Sequence, residues 1–425
     1  MPRQTQGETR RDFLKASTAA VSAATLVTLP AGGVFAAGTD AIRIGLIGCG
    51  GRGTGAAVNA VTADSNAKIT AMGDAFADRL ASSHENLAKT ISDKVDCPPE
   101  RRYVGIDAYR KVIESGVDVV LLASPPHFRP AHLAAAIKAG KHVFCEKPVA
   151  VDVPGVHSVE QSCKLAREKK LSIVSGLCFR YDEPKVETIR RIHDGAIGKP
   201  LVVYTRYLTG LLWNHPRKPE WSDMEWQLRN WLYFNWLSGD HIVEQHIHSL
   251  DKAVWVMGDE PPMAAVGVGG REVRTDAAFG NIYDHFSIVY TYADGRRIHS
   301  SCRQMGNCFT DVEDTVIGTE GSCDLMKHAI EGARPWKFQG HGKNMYQSEH
   351  DALFAAIRSG TPIDNGSYMC RSTLVAIMGR MVAYTGERIT WDQLNASTED
   401  LTPPSYEMGP LPMAPVAKPG VKLIG

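Results

Sequence analysis

Ile42-Arg43-Ile44-Gly45-Leu46-Ile47-Gly48-Cys49-Gly50-Gly51-Arg52-Gly53 is the stretch that decides the fold. An apolar run, Ile42–Ile47, feeds straight into Gly48-x-Gly50-x-x-Gly53, and the residues from Gly53 to Thr62 read as a helix. A strand that ends in such a loop and opens a helix is the start of a βαβ unit. Its glycines allow a tight turn and a close backbone approach to a pyrophosphate, which sits on the positive end of the helix. Asp74 stands 21 residues past Gly53, at the end of a second apolar run, Lys68–Met72. A carboxylate there accepts hydrogen bonds from adenosine ribose hydroxyls and repels a 2′-phosphate, which favours NAD. Arg52 and Arg79 are nearby cations and leave NADP open. Gly48, Gly50, Gly51, Arg52, Gly53 and Asp74 are therefore candidate cofactor contacts.

Outward from this unit the alternation continues. Asp118–Ala123, His142–Cys145 and Ser172–Gly176 are further buried-strand runs with helical patterns between them. The spacing predicts a doubly wound parallel sheet of the Rossmann type. After about Tyr181 the grammar changes. Leu201–Leu208, His285–Tyr292 and Arg297–Gln304 read as antiparallel strands, with Phe286, Ile288, Tyr290 and Tyr292 alternating onto one face. Asp294-Gly295 is the hairpin turn between the last two. Helical stretches at Ser348–Arg358 and Arg371–Tyr384 are expected to close this second domain. The expected organisation is α/β throughout: a signal segment at 1–36, a Rossmann domain at 37–180, an α/β domain with a large, mostly antiparallel open sheet at 181–402, and a Pro/Gly-rich strap at 403–425.

A chain of 425 residues suits two domains rather than one core. With 44% hydrophobic and 22% charged residues and zero net charge, nothing in the balance suggests nucleic acid or an anionic membrane surface as partner. Near the start, Thr9-Arg10-Arg11-Asp12-Phe13-Leu14-Lys15 reads as a twin-arginine export signal. A short Ala/Ser/Thr-rich apolar stretch follows, ending in Val34-Phe35-Ala36, a small-residue cleavage site. The expected destination is the periplasm, with the protein anchored on that side if the signal stays uncleaved. No later run approaches the ~20 apolar residues needed to span a bilayer. The nine cysteines show no CxxC pair and no zinc-type spacing, so no metal is expected. Cys49, Cys145 and Cys178 read as small hydrophobes in or beside strands.

Gly140-Lys141-His142-Val143-Phe144-Cys145-Glu146-Lys147-Pro148, with the glycine loop upstream, resembles the glucose–fructose oxidoreductase / inositol dehydrogenase (Gfo/Idh/MocA) family. Ser124-Pro125-Pro126-His127, Arg180-Tyr181-Asp182 with Pro184, and Gly198-Lys199-Pro200 add to the likeness, which covers Ile42 to Arg388. The resemblance implies oxidation or reduction of a secondary hydroxyl or carbonyl on a sugar or cyclitol. It also implies a homo-oligomer, dimer or tetramer, built through the second sheet. On the motif, Ser124, Pro125, His127, Glu146 and Lys147 join the candidate cofactor contacts.

Lys147 follows a parallel strand at its carboxyl end, where ligands of open α/β sheets bind. Hydride transfer from an alcohol needs a group to take the hydroxyl proton and a donor to hold the developing alkoxide, and lysine can do either. The second candidate centre is Asp240–Asp251. Glu244 and His248 are spaced i, i+4, so one helix would place both on one face. In the family an Asp four residues before a His completes the set with the E-K-P lysine. Here His248 matches the histidine and Glu244 stands where Asp is usual. His248 is the expected general acid/base and Glu244 its orienting partner, with a metal site at His241, Glu244 and His248 as the rival reading. Five of eight tryptophans fall between Trp213 and Trp236. Their flat faces suit a sugar ring, or else an aromatic lid or an oligomer contact. Trp231, Trp236, His241, Arg180 and Tyr181 are accordingly candidate substrate contacts.

Export poses a constraint, because the free nicotinamide pool stays in the cytoplasm. The expected enzyme therefore loads NAD before export and regenerates it in place. Two alternatives stand beside it: an NAD-dependent glycoside hydrolase working by transient oxidation and elimination, and a non-catalytic NAD-binding protein.

Overall fold

The computed structural model describes residues 40–421. The segment read as an export signal lies outside the described residues.

Six strands form the first sheet: β1 (Ile42–Ile47), β2 (Ala67–Asp74), β3 (Arg102–Val104), β4 (Val119–Leu122), β5 (His142–Cys145) and β6 (Ile173–Ser175). All pair in parallel, in the order β3-β2-β1-β4-β5-β6. The order reverses at β1, which lies between β2 and β4. That is the switch point where open α/β sheets bind ligands. All four residues of β4 are buried, as expected for a strand covered on both faces. On one face Ile42, Ile44 and Leu46 pack with Ala56, Ala60 and Leu87 from the helices Gly51–Ala63 and Ala77–Thr90. On the other, Val120 and Leu122 meet Leu133 and Val156 from Arg129–Lys138 and Val153–Glu168.

The helix Met345–Ser359 departs from expectation. It was read as part of the second domain, yet Leu353, Phe354 and Ile357 complete the apolar cluster over β1. Arg358 pairs with Asp64 at the end of the first Rossmann helix, and Asn59 donates to Gln347 Oε1 at 3.0 Å. An amphipathic stripe shows that a helix will be buried, not which sheet it will cover.

The second sheet has nine strands: β7 (Pro200–Thr209), β8 (Ala264–Gly270), β9 (His285–Thr291), β10 (Arg297–Gln304), β11 (Asp311–Gly318), β12 (Gly321–Asp324), β13 (Ala329–Gly332), β14 (Trp336–Lys337) and β15 (Ile389–Thr390). Their order is β14-β13-β12-β11-β7-β10-β9-β8-β15. Only β7 and β10 pair in parallel. Phe286, Ile288 and Tyr290 are buried, as the alternation predicted, on the face covered by the helices Ile247–Val256 and Gly366–Thr385. Tyr204, Val266 and Val268 are exposed on the other face. All nine cysteines are unpaired, and Cys49, Cys145 and Cys178 are buried. No helix among the described residues is long and apolar enough to cross a membrane.

Candidate active site

The glycines at the end of β1 have two different jobs. A Cβ on Gly48, whose φ is +95°, would lie 2.5 Å from Ser124 N, and one on Gly53 would lie 1.9 Å from Gly48 O. Those two permit the close packing of loop, β4 and helix. Gly50 and Gly51 have nothing within 4 Å of an added Cβ. They leave the loop open at the first turn of the helix, where a pyrophosphate would rest. Asp74, at the end of β2, accepts from Cys49 N at 2.7 Å and Phe76 N at 2.9 Å. Burial raises its carboxyl pKa in spite of those two bonds. The loop shares one cleft with Asp74 and Arg79 on the β2 side and with Ser124, Pro125 and Phe128 on the β4 side. Open glycines and a carboxylate at this spacing fit the pyrophosphate and ribose of a dinucleotide. Ser124 Oγ is fixed by His132 Nδ1 at 3.1 Å. His127 is engaged by the C-terminal strap. Its Nε2 meets the Tyr406 hydroxyl at 2.7 Å, and burial takes its pKa down to about 4.

Arg52 does not present a free cation to this cleft. Its guanidinium pairs with Glu146 and, at 2.9 Å, with Glu349, and lies 5.0 Å from the Tyr346 ring centroid. Arg79 is left as the cation on the cleft wall. Glu146 is likewise engaged within the protein: one oxygen takes Arg52 and the other accepts the Lys147 backbone N–H at 3.1 Å. Burial works against its charge, but Arg52 holds the carboxyl below its usual value. Glu349 was missed in the sequence because its helix was placed in the other domain. It is fully buried, and burial with the Glu146 charge pushes its carboxyl well up.

Lys147, just past β5, reaches across to the second domain. Its Nζ donates to Glu244 Oε1 at 2.8 Å and to the Glu244 carbonyl. Glu244 is thus the partner of Lys147, not of His248 as expected. The reason is backbone geometry: the expected single helix is two, His241–Glu244 and Ile247–Val256, broken at Gln245 and His246. His248 lies edge-on to Phe179 with ring centroids 5.5 Å apart, and its Nδ1 has no hydrogen-bond partner. Burial, reinforced by the nearby Lys147 charge, holds the imidazole well below its ordinary pKa, so it is neutral.

The other candidate substrate contacts lie elsewhere. His241 is sealed in the core, on Asp240 at 3.0 Å and edge-on to Phe286. Positive φ at Gly239 and Asp240 turns the chain so that it points inward. Arg180 is spent on Asp251 and Asp259, stacked between Trp255 and Tyr368. The Tyr181 hydroxyl donates to Asn365 at 2.8 Å. Trp231 lines the dinucleotide cleft, and Trp236 packs edge-on to His127 at 5.0 Å. His241, Arg180 and Tyr181 are held by protein partners, and both tryptophans stand on the cofactor side.

A Rossmann switch point carrying an open glycine loop, a ribose-side carboxylate and a lysine at the end of β5 defines a nicotinamide-dependent oxidoreductase. Residues 42–176 match the model of the oxidoreductase family with NAD-binding Rossmann fold, and residues 186–324 match the GFO/IDH/MocA C-terminal domain. The chain belongs to the Gfo/Idh/MocA family and is an NAD-binding oxidoreductase. It is 27% identical over 292 residues to inositol 2-dehydrogenase 3 of Saccharopolyspora erythraea, covering 68% of this chain and 75% of that one. It is 30% identical over 224 residues to glycosyl hydrolase family 109 protein 2 of Shewanella sp. ANA-3, covering 49% of this chain and 47% of that one. The crystal structure of aldose-aldose oxidoreductase from Caulobacter crescentus superposes with a TM-score of 0.63 at 20% identity, over 83% of this chain and 100% of that chain.

Proposed function

We infer that this protein oxidises a secondary hydroxyl, or reduces the matching carbonyl, of a sugar, glycoside or cyclitol, with NAD retained through the cycle. The observation that carries the reading is the meeting of Lys147 with Glu244 beside a neutral His248 whose Nδ1 has no hydrogen-bond partner. NAD bound on the glycine loop supplies the hydride acceptor or donor. Lys147 donates to the substrate oxygen and holds its developing charge. Glu244 keeps the lysine directed across the cleft. His248, half-buried and uncharged, takes the hydroxyl proton. The inositol 2-dehydrogenase relative supports the substrate class, and Asp74 supports NAD over NADP. The twin-arginine motif at Arg10 and Arg11 supports export and with it retention, and the exposed face of the second sheet suits assembly into a dimer or tetramer.

A second reading, net hydrolysis of a glycoside by transient oxidation and elimination, draws on the relative from Shewanella. One experiment separates the two. The protein is purified without added cofactor, its nicotinamide absorbance is read, and a panel of sugars, cyclitols and glycosides is added. Reduction of bound NAD is the expected result. Aglycone release without net reduction would favour hydrolysis, and absence of bound NAD would remove the retention reading.

A further inference from the structure

A bare Rossmann cleft is open along one side, but here that side is occupied. Leu228 and Trp231, from the segment leading to Glu244, line the same cleft as Asp74 and Arg79. This segment is fastened to the β2 edge. Arg229 makes a two-pronged pair with Asp78, at 2.9 and 3.1 Å, and its guanidinium stacks 3.9 Å from the Phe76 centroid. Phe76 is two residues past Asp74, so the anchor grips the turn that holds the ribose-side carboxylate. Behind it, Met224, Trp226 and Phe234 bury with Phe76 in one apolar cluster.

The C-terminal strap crosses the opposite edge. Tyr406 bonds His127 and packs 5.8 Å from Phe128, while Leu411 enters the same cluster as Phe76. Gln227 Nε2 donates to Leu411 O at 2.7 Å, and Met224 N donates to Gly409 O at 3.1 Å. Strap and aromatic segment thus brace each other, and each grips one lip of the cleft.

We propose that Trp231 forms the outer wall of the adenine subsite, and that the Arg229–Asp78 pair and the Tyr406 strap hold this wall closed so that NAD leaves slowly. The proposal rests on the reading of NAD as a retained group and names what retains it. An indole is a flat, rigid apolar surface that stacks on a purine. Loss of one such aromatic face costs about tenfold to a hundredfold in binding. With the chain anchored on both sides of Trp231, departure of the adenosine requires the ion pair to open first.

The test uses the full-length protein loaded with NADH, diluted into an excess of an NADH-consuming enzyme, with release followed by nicotinamide fluorescence. Trp231→Ala is expected to speed release by about tenfold or more, with Trp231→Phe largely restoring the slow rate. Tyr406→Phe, which removes only the hydroxyl bonded to His127, is expected to speed it about threefold. Affinity for reduced nicotinamide mononucleotide, which lacks the adenosine, is expected to be unchanged in all three. Wild-type release rates in Trp231→Ala would overturn the proposal. So would an equal loss of mononucleotide binding, which would make Trp231 a general packing residue. Rapid release from the wild-type protein would instead remove the retention reading, and the comparison of variants would still decide whether Trp231 walls the adenine.

Discussion

At the scale of single residues, the division of labour around Lys147 gives the sharpest expectations. Lys147→Met removes the cation paired with the Glu244 carboxylate. We expect kcat to fall by about 10²–10⁴-fold, while the fluorescence of bound NADH stays as in the wild type. Wild-type turnover in this variant would sink the assignment. Asp74→Ala tests the ribose side. Removing a carboxylate that repels a 2′-phosphate should raise the preference for NADP over NAD by about tenfold or more, read as the ratio of kcat/KM values. Arg79 on the same wall would then face the phosphate, and an unchanged ratio would show that Asp74 does not set the choice. Residues whose placement follows from main-chain position were legible in the sequence: the glycine loop, Asp74 and Lys147 all lie at or just past strand ends. Residues whose role depends on a distant partner were not. Arg52 looked like a phosphate ligand, yet it is held by Glu349, 297 positions away. Arg180, a candidate substrate contact in the sequence, is held by Asp251 and Asp259 instead, the first of them 71 positions away.

At the scale of elements, strands were read well where β-branched and aromatic residues alternate, and poorly where packing replaces propensity. β9 was found within one residue of its end, whereas β8, Ala-Ala-Val-Gly-Val-Gly-Gly, was missed. Its glycines are there for contact: a Cβ on Gly267 would lie 2.4 Å from Ser287 O. Nothing local announces this, because it is the neighbouring strand that demands it. The split of the expected helix at Gln245 is similar: Gln245 Oε1 accepts from Gln304 Nε2 at 2.6 Å and His246 Nε2 meets Ser300 Oγ at 2.7 Å, partners on β10 that lie far along the chain. The junction of β1 with its helix offers an element-scale test. In Gly53→Ala the new methyl meets the backbone oxygen of Gly48, an atom that cannot swing away. The helix must shift off the loop, and its N-terminus with it. We expect NAD affinity to drop by about tenfold or more, by calorimetric titration, with the second domain's tryptophan fluorescence little changed. Undiminished affinity would show that the loop tolerates the shift and that helix placement does not govern binding.

At the scale of the whole molecule, the buried histidines give the protein a common response to acid. Burial holds His127, His142 and His350 down at about 4 and His132 and His246 at about 3. Burial, with the Lys147 charge, also holds His248 well below its ordinary value. The geometry agrees: His246 Nδ1, His248 Nδ1 and His350 Nε2 have no partner to receive a proton's charge. In the unfolded chain these rings titrate near their ordinary value of about 6.5. Between about pH 6.5 and 4, then, the unfolded state binds protons that the folded state refuses, so stability falls as pH falls through that window. A ring held at about 4 contributes about 3 kcal/mol over the window. Glu349 and Asp314, whose burial raises their carboxyl pKa, act in the opposite sense, but the histidines outnumber them. We therefore expect Tm to be level from pH 8 to 7 and to fall steeply below about pH 6. His350→Gln, at a ring packed tilted 4.2 Å from Phe144 and bonded to Tyr346 O, should flatten that slope whatever it does to Tm at pH 7. Thermal melts of the two proteins across the range decide it. A wild-type Tm that rises on acidification would mean that the buried carboxyls dominate, and an unaltered slope in His350→Gln would mean that this ring is not among the groups that resist protonation.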